Sequence, residues 1–159
     1  MTLDRRAFRN ALGCFATGVT VVTTVADNGD PVGLTANSFS SVSLDPPLVL
    51  FCLGRSSNNL DAFIASGRFA VNVLGDDQRD LSVRFSTTIE DRWDGVAWET
   101  WETGAPVLRG CLATLDCETE AVHEGGDHVI IVGRVKRLSS VPEGKPLLYF
   151  RGNYATVED

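Results

Sequence analysis

Three short segments of this sequence hold side chains suited to binding or redox chemistry. The first is GLTANSFSSVSLDPP at residues 33–47, with one Thr, four Ser and an Asn among small neighbours. Hydroxyls and backbone N–H groups that converge without bulk around them can receive a phosphate or the edge of a flat heteroaromatic ring. The same composition suits a loop whose hydroxyls bond their own backbone, and both readings stand at this point. The second is RSSNN at residues 55–59, just ahead of a segment of helical character. A helix N-terminus beside an arginine is an anion site, with simple capping as the alternative. These two clusters flank one strand, residues 47–53, so both could reach a single phosphate-bearing ligand. The third is EGGDHVIIVGRV, where His128 follows two glycines and an aspartate at the mouth of a strand. A single His is commonly structural, but those glycines would let a ligand or another backbone approach closely.

Other chemistries lack their residues. No G-x-S-x-G elbow, P-loop or G-x-G-x-x-G stands in the sequence, so serine hydrolases, P-loop NTPases and Rossmann dinucleotide enzymes lose their usual support. Cys111, Cys117 and His123 share one face of a strand, yet positions six apart on a continuous strand lie about 20 Å from each other. Ligands of one zinc ion all sit within about 2.3 Å of it, so no metal site is expected, and His123 is read as structural. The four cysteines form no C-x-x-C pair and are expected as reduced thiols, small core residues in a chain that needs no disulfides. Fourteen Lys and Arg against 21 Asp and Glu give a net charge of −7, which opposes binding to a polyanion such as nucleic acid. No apolar run approaches the roughly 20 residues of a membrane span, and MTLDRRAFRN has no apolar core of a secretory signal. The expected location is the cytoplasm.

The elements that must position these segments read as mainly β. With 159 residues and 43% of them hydrophobic, a single domain over residues 1–159 is expected. Asp4 caps a first helix in which Phe8, Leu12 and Phe15 share a face, closing near Gly18. VTVVTTVA, residues 19–26, is a β-branched strand, and Asn28-Gly29 should supply the positive φ angles of a tight hairpin turn. Further strands are expected at 47–53, 69–74, 112–123, 129–138 and 147–150. Asn58 or Asn59 should cap the helix LDAFIAS, which Gly67 ends, and Asp76 or Asp77 should open a helix with Leu81 and Phe85 on one face. Trp93, Trp98 and Trp101 read as a packing loop over the barrel end. Many strands, few helices and no βαβ alternation predict an antiparallel barrel with peripheral helices.

Taken together and in order, FRNALGCFATGVTVVTT, GLTANSFSSVSLDPPLVLFCL, FAVNVL, GAPVLRGCLATLDCE, GDHVIIVGRV and PLLYFRGNY resemble the short-chain flavin reductases, the small components of two-component flavin-dependent monooxygenases. The resemblance runs from about Phe8 to Tyr154. It implies a split antiparallel β-barrel with peripheral helices, assembled as a homodimer. It implies FMN or FAD as the flavin, NADH or NADPH as the hydride donor, and a partner monooxygenase that takes the reduced flavin. Residue by residue, it implies a flavin loop at Thr35, Ala36, Asn37 and Ser38, with Cys52 and Leu53 beside the ring. The flavin phosphate would fall at Arg55, Ser56, Ser57 and Asn58, and Phe85 would lie nearby. His128 would orient the nicotinamide and stand as the catalytic residue, with the aromatic Tyr154 near the same pocket. NADH is expected over NADPH. In such an enzyme the cofactor carries the difficult step and the protein supplies orientation. Two alternatives use the same barrel: a carrier that retains FMN, and a barrel with no redox role.

Overall fold

The computed structural model describes residues 2–159. Two residues, Thr17–Gly18 (β1), precede the β-branched run Thr20–Val25 (β2), whose stiff χ1 angles favour a pleated backbone. β2 pairs with Pro31–Ala36 (β3) in an antiparallel ladder from Thr20↔Ala36 to Val25↔Pro31. Between them only Gly29 adopts a left-handed backbone, with φ 86°. Asn28 contributes its side chain instead, accepting from the Asp30 N–H at 3.0 Å, so the turn is a longer one than the expected two-residue hairpin.

The remaining strands are Ser40–Ser43 (β4), Leu48–Gly54 (β5), Arg68–Val73 (β6), Trp98–Thr100 (β7), Pro106–Leu108 (β8), Ala113–Gly125 (β9), His128–Ser140 (β10), Leu148–Phe150 (β11) and Asn153–Ala155 (β12). Seven form one antiparallel sheet in the order β3-β2-β6-β9-β10-β5-β4. Its outer strands, β3 and β4, are joined by residues 37–39 alone, so the sheet curls on itself. Val22, Ala36, Phe51, Phe69, Cys117 and Ile131 come from six different strands and meet in one buried cluster. β5 shows the period of two that this requires, with Val49, Phe51 and Leu53 buried and their neighbours half-buried. β1, β11 and β12 form a small second sheet, and β7 pairs with β8.

Helix Arg5–Gly13 (α1) is capped by Asp4, which accepts from the Arg6 N–H at 2.9 Å. It ends earlier than its periodicity suggests, because Thr17 and Gly18 are drawn into pairing with β11. None of its residues is buried, and Phe8, Leu12 and the following Phe15 are exposed. Helix Leu60–Ser66 (α2) puts Phe63 into the core and stops at Gly67, φ 68°. A 3₁₀ turn, Asp76–Gln78, leads into Arg79–Ser86 (α3), which buries Ser82 and Phe85. Trp93 packs edge-on against Phe85, and Trp101 packs beside Ala70, Ala105 and Val107. No described helix is long and apolar enough to cross a membrane. All four cysteines are free; Cys117 is buried, whereas Cys14 is exposed and is not the core residue expected.

One position controls how tightly the barrel closes. A Cβ on Gly133 of β10 would stand 2.3 Å from Phe69 Cζ and 2.9 Å from Cys117 Cβ. The Phe69 ring cannot retreat, since Phe51 lies edge-on at 4.9 Å. Gly133→Ala is therefore expected to destabilise the protein by about 3 kcal/mol through overpacking. Denaturant midpoints check this, and Phe69→Leu in the same chain should recover part of the loss.

Candidate functional site

β5 and β10 end side by side, with His128 opposite Gly54, Val129 opposite Leu53 and Ile130 opposite Cys52. Residues paired across a ladder share a face. His128, Gly54, Ile130 and Cys52 thus lie on the outer face, while Leu53 and Val129 point into the core. The side chain of Leu53 is therefore beneath the site and not at its surface. Opposite His128, Gly54 leaves room for the ring, whose Nε2 lies 3.8 Å from where a Cβ on Gly54 would stand.

The segment at residues 35–38 runs beside the same strand. Ser38 Oγ donates to the Cys52 carbonyl at 3.0 Å and accepts the Cys52 N–H at 2.9 Å. One hydroxyl thereby satisfies both polar groups of a strand position that β4 does not pair. Thr35 Oγ1 donates to the Ser82 carbonyl at 2.6 Å, and Ser82 Oγ shares a 2.7 Å hydrogen bond with Tyr154 Oη. The Arg79 guanidinium sits over the Tyr154 ring at 4.9 Å. Thr35 and Tyr154, remote in sequence, are thus tied together through α3. Ala36 is buried, Asn37 is exposed, and the Phe85 ring is sealed under β3 with Cε1 3.0 Å from where a Cβ on Gly33 would stand. The hydroxyls of Thr35 and Ser38 have protein partners, so the segment's exposed polar side chain is that of Asn37.

Asn37 lines a groove of about 860 Å³ with Arg9, Phe15, Thr17, Tyr149 and Arg151, a size that suits a ligand of several rings. The Thr17 hydroxyl is buried there with no hydrogen-bond partner. An orphaned buried hydroxyl costs free energy, and this oxygen is closed off from the groove itself.

The second and third segments meet at the tip of the β9–β10 hairpin. The Arg55 N–H donates to the Asp127 carbonyl at 2.9 Å, its Nε donates to the Gly126 carbonyl at 3.1 Å, and its Nη2 lies 3.4 Å from the Glu124 carboxylate. His128 Nδ1 is 2.7 Å from Asp127 Oδ1, and that hydrogen bond holds the Asp127 carboxyl below the usual carboxylate range. Ser57, and not Asn58 or Asn59, provides the side-chain oxygen at the start of α2, accepting the Asn59 N–H at 3.2 Å. Ser56 and Asn58 are exposed. The fold therefore collects Ser38, Cys52, Arg55 and His128 around one strand end. It leaves the side chain of Leu53 inside the barrel and that of Phe85 in a separate cluster with Val19, Val21 and Leu74.

Cys111 is near Gln78 at 3.6 Å, Cys117 is in the core and His123 is exposed on β9. Among the described residues no group of three His, Cys, Asp or Glu could hold a metal ion.

Comparison with known proteins gives these contacts a setting. Residues 12–158 match the family described as flavin reductase like domain. The chain is 48% identical over 158 residues to HsaB of Mycobacterium tuberculosis, the reductase subunit of a flavin-dependent monooxygenase, covering 98% of this chain and 84% of that one. It is also 48% identical over 151 residues to SmoA of Agrobacterium fabrum, an FMN reductase (NADH), covering 95% and 85%. The solved structure of the NADH:FAD oxidoreductase SgcE6 of Streptomyces globisporus C-1027 superposes with a TM-score of 0.93 at 38% identity, covering 100% and 96%. A likeness that runs almost from end to end, in sequence and in fold alike, means that this chain belongs to the flavin reductase family.

Proposed function

We propose that this chain is an NAD(P)H:flavin oxidoreductase that takes hydride from NADH, delivers it to FMN or FAD and supplies the reduced flavin to a partner monooxygenase. The observation that carries this reading is the placement of His128 and of the residue 35–38 segment along one strand, β5. The relatives support it, since one is named as a monooxygenase reductase subunit and two are named for NADH, one with FMN and one with FAD.

The bound flavin supplies the hydride-accepting ring, and the protein's work is to bind and orient. Thr35, Ala36, Asn37 and Ser38 present backbone and amide groups along one edge, tied to β5 by the Ser38 bridge to Cys52. Leu53 backs β5 from inside the barrel, Phe85 of α3 packs against Gly33 of β3 from outside it, and Tyr154 is kept in place by Ser82. Ser56, Ser57 and Asn58 would receive the flavin phosphate, with the N–H groups of Arg55 that are not directed at Gly126 and Glu124. His128 orients the nicotinamide. A second copy of the chain would cover the exposed Phe8, Leu12 and Phe15, since closed twofold dimers are the commonest assembly. The proposed location is the cytoplasm, where free thiols stay reduced, and a net charge of −7 speaks against a nucleic-acid partner.

The first test is anaerobic mixing of flavin-stripped protein with excess FMN or FAD and either NADH or NADPH, following loss of oxidised-flavin absorbance. Many turnovers of added flavin are expected, fastest with NADH. Bleaching limited to one equivalent would point to a carrier that retains FMN, and no bleaching in any combination would sink the redox reading. In the same assay His128→Ala should lower kcat/KM for the nicotinamide by about 10- to 100-fold, the scale of lost orientation, with flavin affinity changed less than about twofold. Unchanged nicotinamide kinetics would remove His128 from this role.

A further inference from the structure

The tip that carries His128 is built from Gly125 and Gly126, the latter at φ 72°, and glycine imposes little order of its own. Order comes from Arg55, which holds the backbone carbonyls of Gly126 and Asp127 and faces the Glu124 carboxylate. Within that clamped turn, Asp127 Oδ1 lies 2.7 Å from His128 Nδ1. An ionised carboxylate only accepts hydrogen bonds, so Nδ1 must carry a proton. In the neutral ring the lone pair then resides on Nε2, the atom that lies over Gly54 at the strand end.

We infer that Asp127 is a positioning residue: it fixes His128 in the Nδ1–H form, on a turn braced by Arg55 and Glu124, so that Nε2 presents an acceptor to a ligand N–H. A nicotinamide carboxamide is the N–H donor that the proposed reaction provides, and the inference rests on that reading of His128.

The chain has two histidines, so imidazole ¹⁵N spectra of the ligand-free protein resolve into two rings, and His123→Ala assigns them. At alkaline pH the wild-type His128 ring should show a protonated Nδ1 and a bare Nε2. Asp127→Asn offers an amide N–H that can donate to Nδ1, so the proton should move substantially to Nε2. With it, kcat/KM for NADH should fall about tenfold while the FMN Kd holds, and Asp127→Glu should restore much of both. Asp127 is exposed, so the fold is not at stake, and circular dichroism checks it. An unchanged tautomer in Asp127→Asn, or a changed tautomer with unchanged NADH kinetics, overturns the inference. A loss in His128→Ala with none in Asp127→Asn removes Asp127 alone. No loss in His128→Ala removes the nicotinamide reading, and the tautomer then decides by itself whether Asp127 fixes the ring.

Discussion

Everything at the strand end depends on a contact in the core, the Phe69 ring against the bare backbone of Gly133. Because β10 has no side chain there, Phe69 can approach it and still reach Phe51, which in turn meets Phe63 of α2 at 5.5 Å. Three rings in edge-on contact thus run from β10 to the helix that caps the barrel, each pair adding to what burial alone contributes. At Val132/Gly133 the register with β9 shifts because Glu120 of β9 is the extra, unpaired residue, a bulge that bends β9 while the pairing with β5 continues unbroken along β10. His128 lies at the start of this same strand, so its place beside Gly54 is set by packing several residues away.

A second constraint is polar. Asn72 is fully buried, donating to the Val21 carbonyl at 2.9 Å and accepting the Leu108 N–H at 2.9 Å. Asp116, equally buried, accepts from the Thr103 N–H at 3.0 Å and from its hydroxyl at 2.5 Å. These side chains attach the β7–β8 hairpin and its loop to the barrel where no ladder does so. Buried polar groups that are fully paired specify one arrangement, because any slip would orphan them.

Local chemistry made much of this legible. The Val/Thr run of β2, the alternation in β5 and the Gly67 stop all follow from propensities that act within a few residues. The motif order also led to the family and to the strand end with His128. What stayed hidden depends on partners far along the chain. Nothing near Ser38 announces that its hydroxyl will bridge Cys52, nothing near Phe85 shows that Gly33 will cover it, and Arg55 read as an anion ligand before its guanidinium was seen to face Glu124. The amphipathic pattern of α1 was visible, but a pattern shows that a face is apolar and not what covers it.

The cysteines bear on how such an enzyme survives its own product. Reduced flavin released into air reacts with dioxygen and yields hydrogen peroxide, which oxidises thiolates far faster than thiols. Burial pushes the Cys117 thiol up to about 12, with the Asp116 charge adding to it, and desolvation pushes Cys111 up to about 11. At neutral pH both are almost wholly protonated, and Cys117 is also shut away from solvent. The barrel that orients the hydride transfer therefore also shields its interior sulfur from peroxide, and a second copy seated over Leu12 and Phe15 would extend the same protection to Cys14, the one exposed thiol of a single copy.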